Sequence, residues 1–209
     1  MTVPVGVLGG IFDPVHFGHL ATARIACDFF HFEKMFFVPA GTPPHKRATV
    51  IASPSDRLAM LRLALDGEAE SVIWEGEIMR REVSYTVDTL AQLRETVSGA
   101  ALHFIVGADN LHEIPTWHRY RDILAMVTLC VAERPGYTME IPESLAGARI
   151  QPFPSPLWGL SSTRVRNYLS TGYGCRYLLP DRVREYIFKK ELYRTGDERA
   201  GTVQCRQGH

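Results

Sequence analysis

Two histidines three positions apart, His16 and His19, enclose Gly18 where an apolar run gives way to a helical pattern. They close the string GGIFDPVHFGHL over 9–20. A strand-to-helix turn of this kind offers backbone N–H groups and the positive end of a helix to an anion. Imidazoles at the same turn add side-chain donors. Reactions at phosphorus spread negative charge over equatorial oxygens, and fixed donors stabilise that charge. The string therefore reads as a phosphate-handling turn. Taken alone, the His-x-x-His spacing also fits two capping or surface histidines. A two-histidine metal site is a further reading, but no third ligand is obvious at the turn.

Absent motifs narrow the chemistry. No G-x-x-x-x-G-K-[ST] occurs, which excludes a Walker-type NTPase, and no G-x-G-x-x-G follows the first apolar run. Gly9 and Gly10 are expected to let the backbone turn and approach a phosphate. A second anion element is LSSTRVR over 160–166. There, hydroxyls at Ser161, Ser162 and Thr163 can cap a helix whose first N–H groups face an anion, and Arg166 adds a planar fork of donors. A third is Pro43-Pro44-His45-Lys46, a stiff loop offering Lys46 as a point charge. An ordinary cap and a solvated loop lysine account for these two segments equally well when each stands alone.

Positioning these residues takes alternating elements. Strands are expected at Val3–Leu8, Met35–Val38, Val72–Trp74, Leu102–Val106, Val127–Ala132 and, more briefly, Ile150–Pro152. Helical periodicity covers Phe17–Phe30, Pro54–Leu65, Thr86–Val97, Arg121–Ala125, Thr163–Ser170 and Asp181–Lys190. Alternation of this kind implies right-handed crossovers and a Rossmann-like, doubly wound parallel sheet with helices on both faces, followed by a small C-terminal helical part. Ligands bind such sheets at the carboxyl ends of the strands. The fourth strand is expected to end at Gly107, and an aspartate at 109 suits a helix N-terminus.

Composition bounds the rest. The 209 residues suit one domain over 1–194 and a polar, flexible tail over 195–209. Lysine plus arginine equal aspartate plus glutamate at 23 each, which speaks against nucleic acid as a partner. No apolar stretch approaches the roughly 20 residues of a membrane span. With no leader-like N-terminus, the expected location is the cytoplasm. Cys27, Cys130, Cys175 and Cys205 have no C-x-x-C spacing and are expected to be free thiols, the first two in the core.

At this point a resemblance is close. GGIFDPVHFGHL resembles the signature of the nucleotidylyltransferase superfamily, with its H-x-G-H at 16–19, and LSSTRVR is similar to that superfamily's I-S-S-T-x-[IV]-R motif. Within it the chain resembles the bacterial nicotinate-nucleotide adenylyltransferases. That likeness is carried by PPHK at 43–46, SYTVDTL at 84–90, GADN at 107–110, Trp117 and LLPDRVREYIFKKELY at 178–193. It implies transfer of AMP from ATP to nicotinate mononucleotide, with Mg²⁺ held mainly through the ATP phosphates and no dedicated protein metal site. It further implies His16, His19, Lys46 and Arg166 as catalytic groups and Gly9, Gly10, Ile11, Phe12, Gly107, Asp109, Arg134, Ser162 and Thr163 around ATP. Trp117 would stack on the pyridine ring, and the Tyr85 and Thr86 amides would meet its carboxylate. A core tryptophan, and a helix capped by Ser84 or Thr86, are the plainer readings of those residues. Ile11 departs from the family's usual Thr or Ser and removes one hydroxyl contact. The resemblance leaves open an amide mononucleotide or phosphopantetheine as acceptor, a non-catalytic nucleotide-binding role, and a homo-oligomeric state.

Overall fold

A computed structural model describes residues 2–41, 51–80, 83–133, 140–155 and 159–194. Six parallel strands form one sheet: β1 (Pro4–Gly10), β2 (Lys34–Pro39), β3 (Ser71–Ile73), β4 (Ala101–Gly107), β5 (Thr128–Ala132) and β6 (Ile150–Phe153). Their order is β3-β2-β1-β4-β5-β6, with the chain reversing its direction of travel across the sheet between β1 and β4. Among the described residues six α-helices connect or follow them: α1 (Phe17–Phe30), α2 (Pro54–Ala64), α3 (Thr86–Thr96), α4 (Tyr120–Met126), α5 (Ser162–Ser170) and α6 (Asp181–Lys189). The doubly wound sheet expected from the alternation is the fold observed.

Near-continuous apolar strands arise because both faces of the sheet are covered. Along β2, Met35 and Phe37 enter one core while Phe36 and Val38 enter the other. Along β5, Cys130 and Ala132 alternate in the same way with Leu129 and Val131. The first core lies under α1 and α2 and also takes Val165 and Leu169 of α5 and Val183 and Ile187 of α6. The C-terminal helices thus complete one face of the sheet. The second core collects Val87, Leu90 and Leu93 of α3 and Ile123 of α4. Burial pushes the Cys27 thiol up to about 11 and the Cys130 thiol up to about 12, as befits core thiols rather than nucleophiles.

Local sequence explains most boundaries. Pro4 is tolerated in a central strand because it is the first residue of β1. Ser53 caps α2, its hydroxyl accepting from the Asp56 amide at 3.1 Å, with Pro54 in the first turn. One expectation is corrected: Gly9 and Gly10 are the last residues of β1, paired with Val38 and Pro39, and not part of the turn. The turn falls instead at Phe12, in the left-handed region with φ of 52° and its ring buried. Gly10 serves that ring, since a Cβ there would lie 3.1 Å from it. Hydrophobic pull on Phe12 outweighs its backbone cost, which is why the glycines do not mark the bend.

Gly6 marks where the first core meets β1 most closely. A Cβ there would lie 2.6 Å from both Met35 Cε and the Phe32 ring. Gly6→Ala is expected to cost about 1–3 kcal/mol through overpacking, read as a lower urea midpoint at unchanged slope.

Candidate active site

A cleft of about 890 Å³ opens at the carboxyl ends of β1 and β4, where the sheet order reverses. Its floor includes Gly9, Gly10, Ile11 and Phe12 after β1, and Gly107 and Asp109 after β4. His16 and His19 line one side, Ser162, Thr163 and Arg166 an adjoining one, and Thr86 and Trp117 the far end. Thus segments far apart in the chain, Asp13 and Arg166 being 153 positions apart, face one space.

His16 is the extended N-cap residue of α1, and its backbone N–H donates to His19 Nδ1 at 3.3 Å. Acceptance at Nδ1 puts the proton of a neutral His19 ring on Nε2, a donor for an anion. The two rings stack at 3.8 Å with 21° between their planes. Gly18 makes this possible, because a Cβ there would lie 2.9 Å from His16 Nδ1.

Four carbonyl oxygens at the end of β1 and in the loop that follows meet protein donors. That of Gly10 accepts from the Ala40 amide at 2.8 Å, and that of Ile11 from Arg57 Nη1 at 2.8 Å. The Asp13 carbonyl accepts from Arg166 Nη1 at 2.7 Å, and the Pro14 carbonyl from the Ser162 hydroxyl at 3.0 Å. Lone pairs that would repel a phosphate are therefore directed into protein donors. The Asp13 carboxylate, 1% exposed, accepts from the amides of Ile51 and Ala52 and from the Tyr193 hydroxyl at 2.8, 3.1 and 2.7 Å. Burial, then the adjacent Asp13 charge, raises the Tyr193 hydroxyl well above its ordinary value, so it stays a donor.

These bonds refine the roles read from LSSTRVR. Ser161 is the cap of α5, accepting from the Arg164 amide at 3.3 Å. Ser162 has spent its hydroxyl proton on Pro14, so it is a strut whose backbone alone can donate to a ligand. Thr163 Oγ1 accepts from Arg166 Nη2 at 3.2 Å and keeps its own proton to donate. Arg166 thus braces the loop while its remaining N–H groups line the cleft.

At the far end the plainer, capping reading does not hold. Neither Ser84 nor Thr86 caps α3; its N-cap is Tyr85, with no side-chain cap bond. Ser84 is buried beneath the turn and Tyr85 packs its ring 4.4 Å from His118, so neither hydroxyl reaches the first-turn amides. The helix start is left to backbone N–H groups, and Thr86 is the residue that enters the cleft. Trp117 packs edge-on to Phe104 at 6.0 Å and also lines the cleft. Lys46 and Arg134, and the tail over 195–209, lie outside the described residues.

Sequence reasoning missed two buried charged residues. Arg57, 1% exposed, donates to the carbonyls of Ile11, Ala40 and Gly41 at 2.8, 2.7 and 3.1 Å. Burial lowers its guanidinium below the ordinary arginine range, offset in part by Asp13. A signal existed: Arg57 shares the helical stripe of Met60 and Leu61 in α2. Glu77, also buried, sits in a turn with no periodicity to reveal it. Among the described residues no group of three or more His, Cys, Asp or Glu could hold a metal ion, and no helix is long and apolar enough to cross a membrane.

The Cytidylyltransferase-like family matches residues 7–168. A protein of Desulfitobacterium hafniense named "Probable nicotinate-nucleotide adenylyltransferase" is 39% identical, covering 91% of this chain and 95% of its own. A Thermomicrobium roseum protein of the same name is 37% identical, covering 97% of each. Among solved structures, nicotinic acid mononucleotide adenylyltransferase of Plasmodium falciparum shares the fold. In its complex with NaAD the TM-score is 0.74 at 17% identity, over 91% of this chain and 97% of that one. In its complex with APC the TM-score is 0.72 at 18% identity, over the same shares.

If the stacked histidines build the anion site, displacing one ring weakens it without unfolding the chain. Gly18→Ala is expected to weaken tripolyphosphate binding about ten-fold, equivalent to one charge-assisted bond, with the melting temperature little changed. Calorimetric titration against the unsubstituted protein checks this.

Proposed function

The chain belongs to the nicotinate-nucleotide adenylyltransferase family, and from that premise we propose that its cleft transfers AMP from ATP to nicotinate mononucleotide. The products are deamido-NAD and pyrophosphate. One observation carries the proposal: the His16–His19 pair at the start of α1 and the uncapped start of α3, with Trp117, open on the same cleft. The first is suited to a phosphate at the reacting centre and the second to a pyridine carboxylate.

The mononucleotide phosphate attacks the α-phosphorus of ATP in line, with no covalent enzyme intermediate. A phosphate dianion is nucleophilic at neutral pH, so alignment and charge stabilisation replace a general base. His16 and His19 hold the ATP phosphates and the charge that develops. Backbone groups from Gly9 to Phe12 line them, with Gly10 and Ile11 between. Ser162 through its amide, Thr163 through its hydroxyl and Arg166 hold the β,γ end, and Lys46 neutralises phosphate near the reacting centre. Gly107 and Asp109 receive the ribose, and Arg134 lies on the nucleotide side. Trp117 stacks on the pyridine, whose carboxylate meets the first amides of α3 around Tyr85 and Thr86.

The donors at the phosphate end are amides, imidazoles, a hydroxyl and a guanidinium, and the Asp13 carboxylate is fully engaged. This set fits Mg²⁺ carried on the triphosphate rather than caged by protein. When bound, that ion would screen the triphosphate and ease departure of pyrophosphate. The reading takes the enzyme as cytoplasmic, with small-molecule partners and no role for nucleic acid or membrane, and the chemistry is equally compatible with a monomer or a homo-oligomer.

A carboxylate at a helix start gains about 2 kcal/mol over a neutral amide, roughly thirty-fold. With Mg²⁺ and ATP, the purified chain is expected to form deamido-NAD and pyrophosphate, preferring nicotinate mononucleotide over its amide by that order. Equal or faster turnover of the amide would contradict the acceptor assignment. His16→Ala is expected to lower kcat about a hundred-fold or more, as loss of a transition-state donor does; full turnover in that variant would refute the mechanism.

A further inference from the structure

One buried carboxylate in the cleft is not used by the roles above. Glu77 lies in the turn after β3, is 9% exposed and lines the cleft. Its Oε1 accepts from the Thr89 hydroxyl at 2.7 Å, and its carboxylate also accepts from the Gly41 amide. The peptide that carries this amide is held from its other side, the Ala40 carbonyl accepting from Arg57 Nη1 at 2.7 Å, and the Gly41 carbonyl accepts from Nη2 at 3.1 Å. Arg57 in turn holds the Ile11 carbonyl of the phosphate loop. A hydrogen-bonded chain therefore runs from Ile11 through Arg57, Gly41 and Glu77 to Thr89 in the first turns of α3.

The contact is close as well as polar. A Cβ on Gly41 would lie 2.2 Å from the Glu77 carbonyl oxygen, so only glycine allows the two backbones to meet. A buried carboxylate persists only where partners replace its water. Burial pushes the Glu77 carboxyl up, and Thr89, Gly41, Arg80 and Arg57 act against that. Yet Glu77 and Thr89 do not close the core, which the apolar neighbours Val87, Leu90 and Leu93 already fill. What their bond fixes is the distance between the start of α3 and the turn after β3, which Gly41 joins to the end of β2.

We infer that Glu77 is a positioning residue that, through Thr89, holds the first amides of α3 in register with the phosphate loop and so sets the affinity for the acceptor's carboxylate. This rests on the function proposed above. The ATP side keeps its own anchors, since Arg57 and Arg166 hold the loop carbonyls without Glu77. The two substrates should therefore respond differently.

Steady-state kinetics with ATP and nicotinate mononucleotide separate this role from a purely structural one. Thr89→Val and Glu77→Ala are each expected to raise KM for the mononucleotide about ten-fold, the loss of one charge-assisted bond, with kcat and KM for ATP within about two-fold. Thr89→Ser, which keeps the hydroxyl, is expected to restore the mononucleotide KM. Thr89→Val preserves volume and carries the test if Glu77→Ala does not fold. The inference is overturned if Thr89→Val leaves the mononucleotide KM unchanged, if both KM values move together, or if Thr89→Ser fails to restore it. An unsubstituted enzyme inactive on nicotinate mononucleotide would instead overturn the proposed function, and this inference with it.

Discussion

A loop that is to bind phosphate through its backbone, as proposed for the residues after β1, must show N–H groups and conceal carbonyls, and this constraint organises the described residues. Four carbonyls between Gly10 and Pro14 are each taken up by a donor from a distant segment: the Ala40 amide after β2, Arg57 of α2, and Arg166 and Ser162 of α5. An unsatisfied buried carbonyl costs about 1–3 kcal/mol, so releasing any one of them would disfavour this loop conformation markedly. Asp13 anchors the same loop with its side chain, drawing on Ile51, Ala52 and Tyr193. Tyr193, just after the final helix, therefore supports this loop although it does not line the cleft.

The sheet order supplies the place for this loop. With β1 and β4 adjacent and the crossovers leaving in opposite directions, the ends of the two strands part and leave a crevice. Three helix starts, those of α1, α3 and α5, reach it through His16 and His19, Thr86, and Ser162 and Thr163. Each contributes partial positive charge, and together they suit a substrate pair that carries several phosphates and a carboxylate. Arg57 beneath the cleft and Glu77 in its wall are buried, and their hydrogen bonds link the residues after β1 to α3.

Much of this was legible because it rests on local patterns. The strands stood out as apolar runs since both faces of the sheet are buried, and α1 began where His16 and Gly18 placed it. Residues that act through long-range bonds left weaker marks. Arg57 interrupts an apolar stripe in α2 and could have been noticed; Glu77 and Tyr193 could not, because their partners lie 12 and 180 positions away. The glycines at 9 and 10 suggested a turn, whereas packing of Phe12 moved the bend three residues along from the first of them. Hydroxyls before α3 suggested a cap, but Ser84 is buried and the helix start stays uncapped.

The account stands on one cleft holding a reacting phosphate at one end and a pyridine carboxylate at the other. A crystal structure with deamido-NAD tests it most directly. It should place the pyridine ring against Trp117 with its carboxylate on the first amides of α3, and the phosphates beside His16 and His19. A pyridine carboxylate turned to solvent, or phosphates bound away from the two histidines, would contradict it.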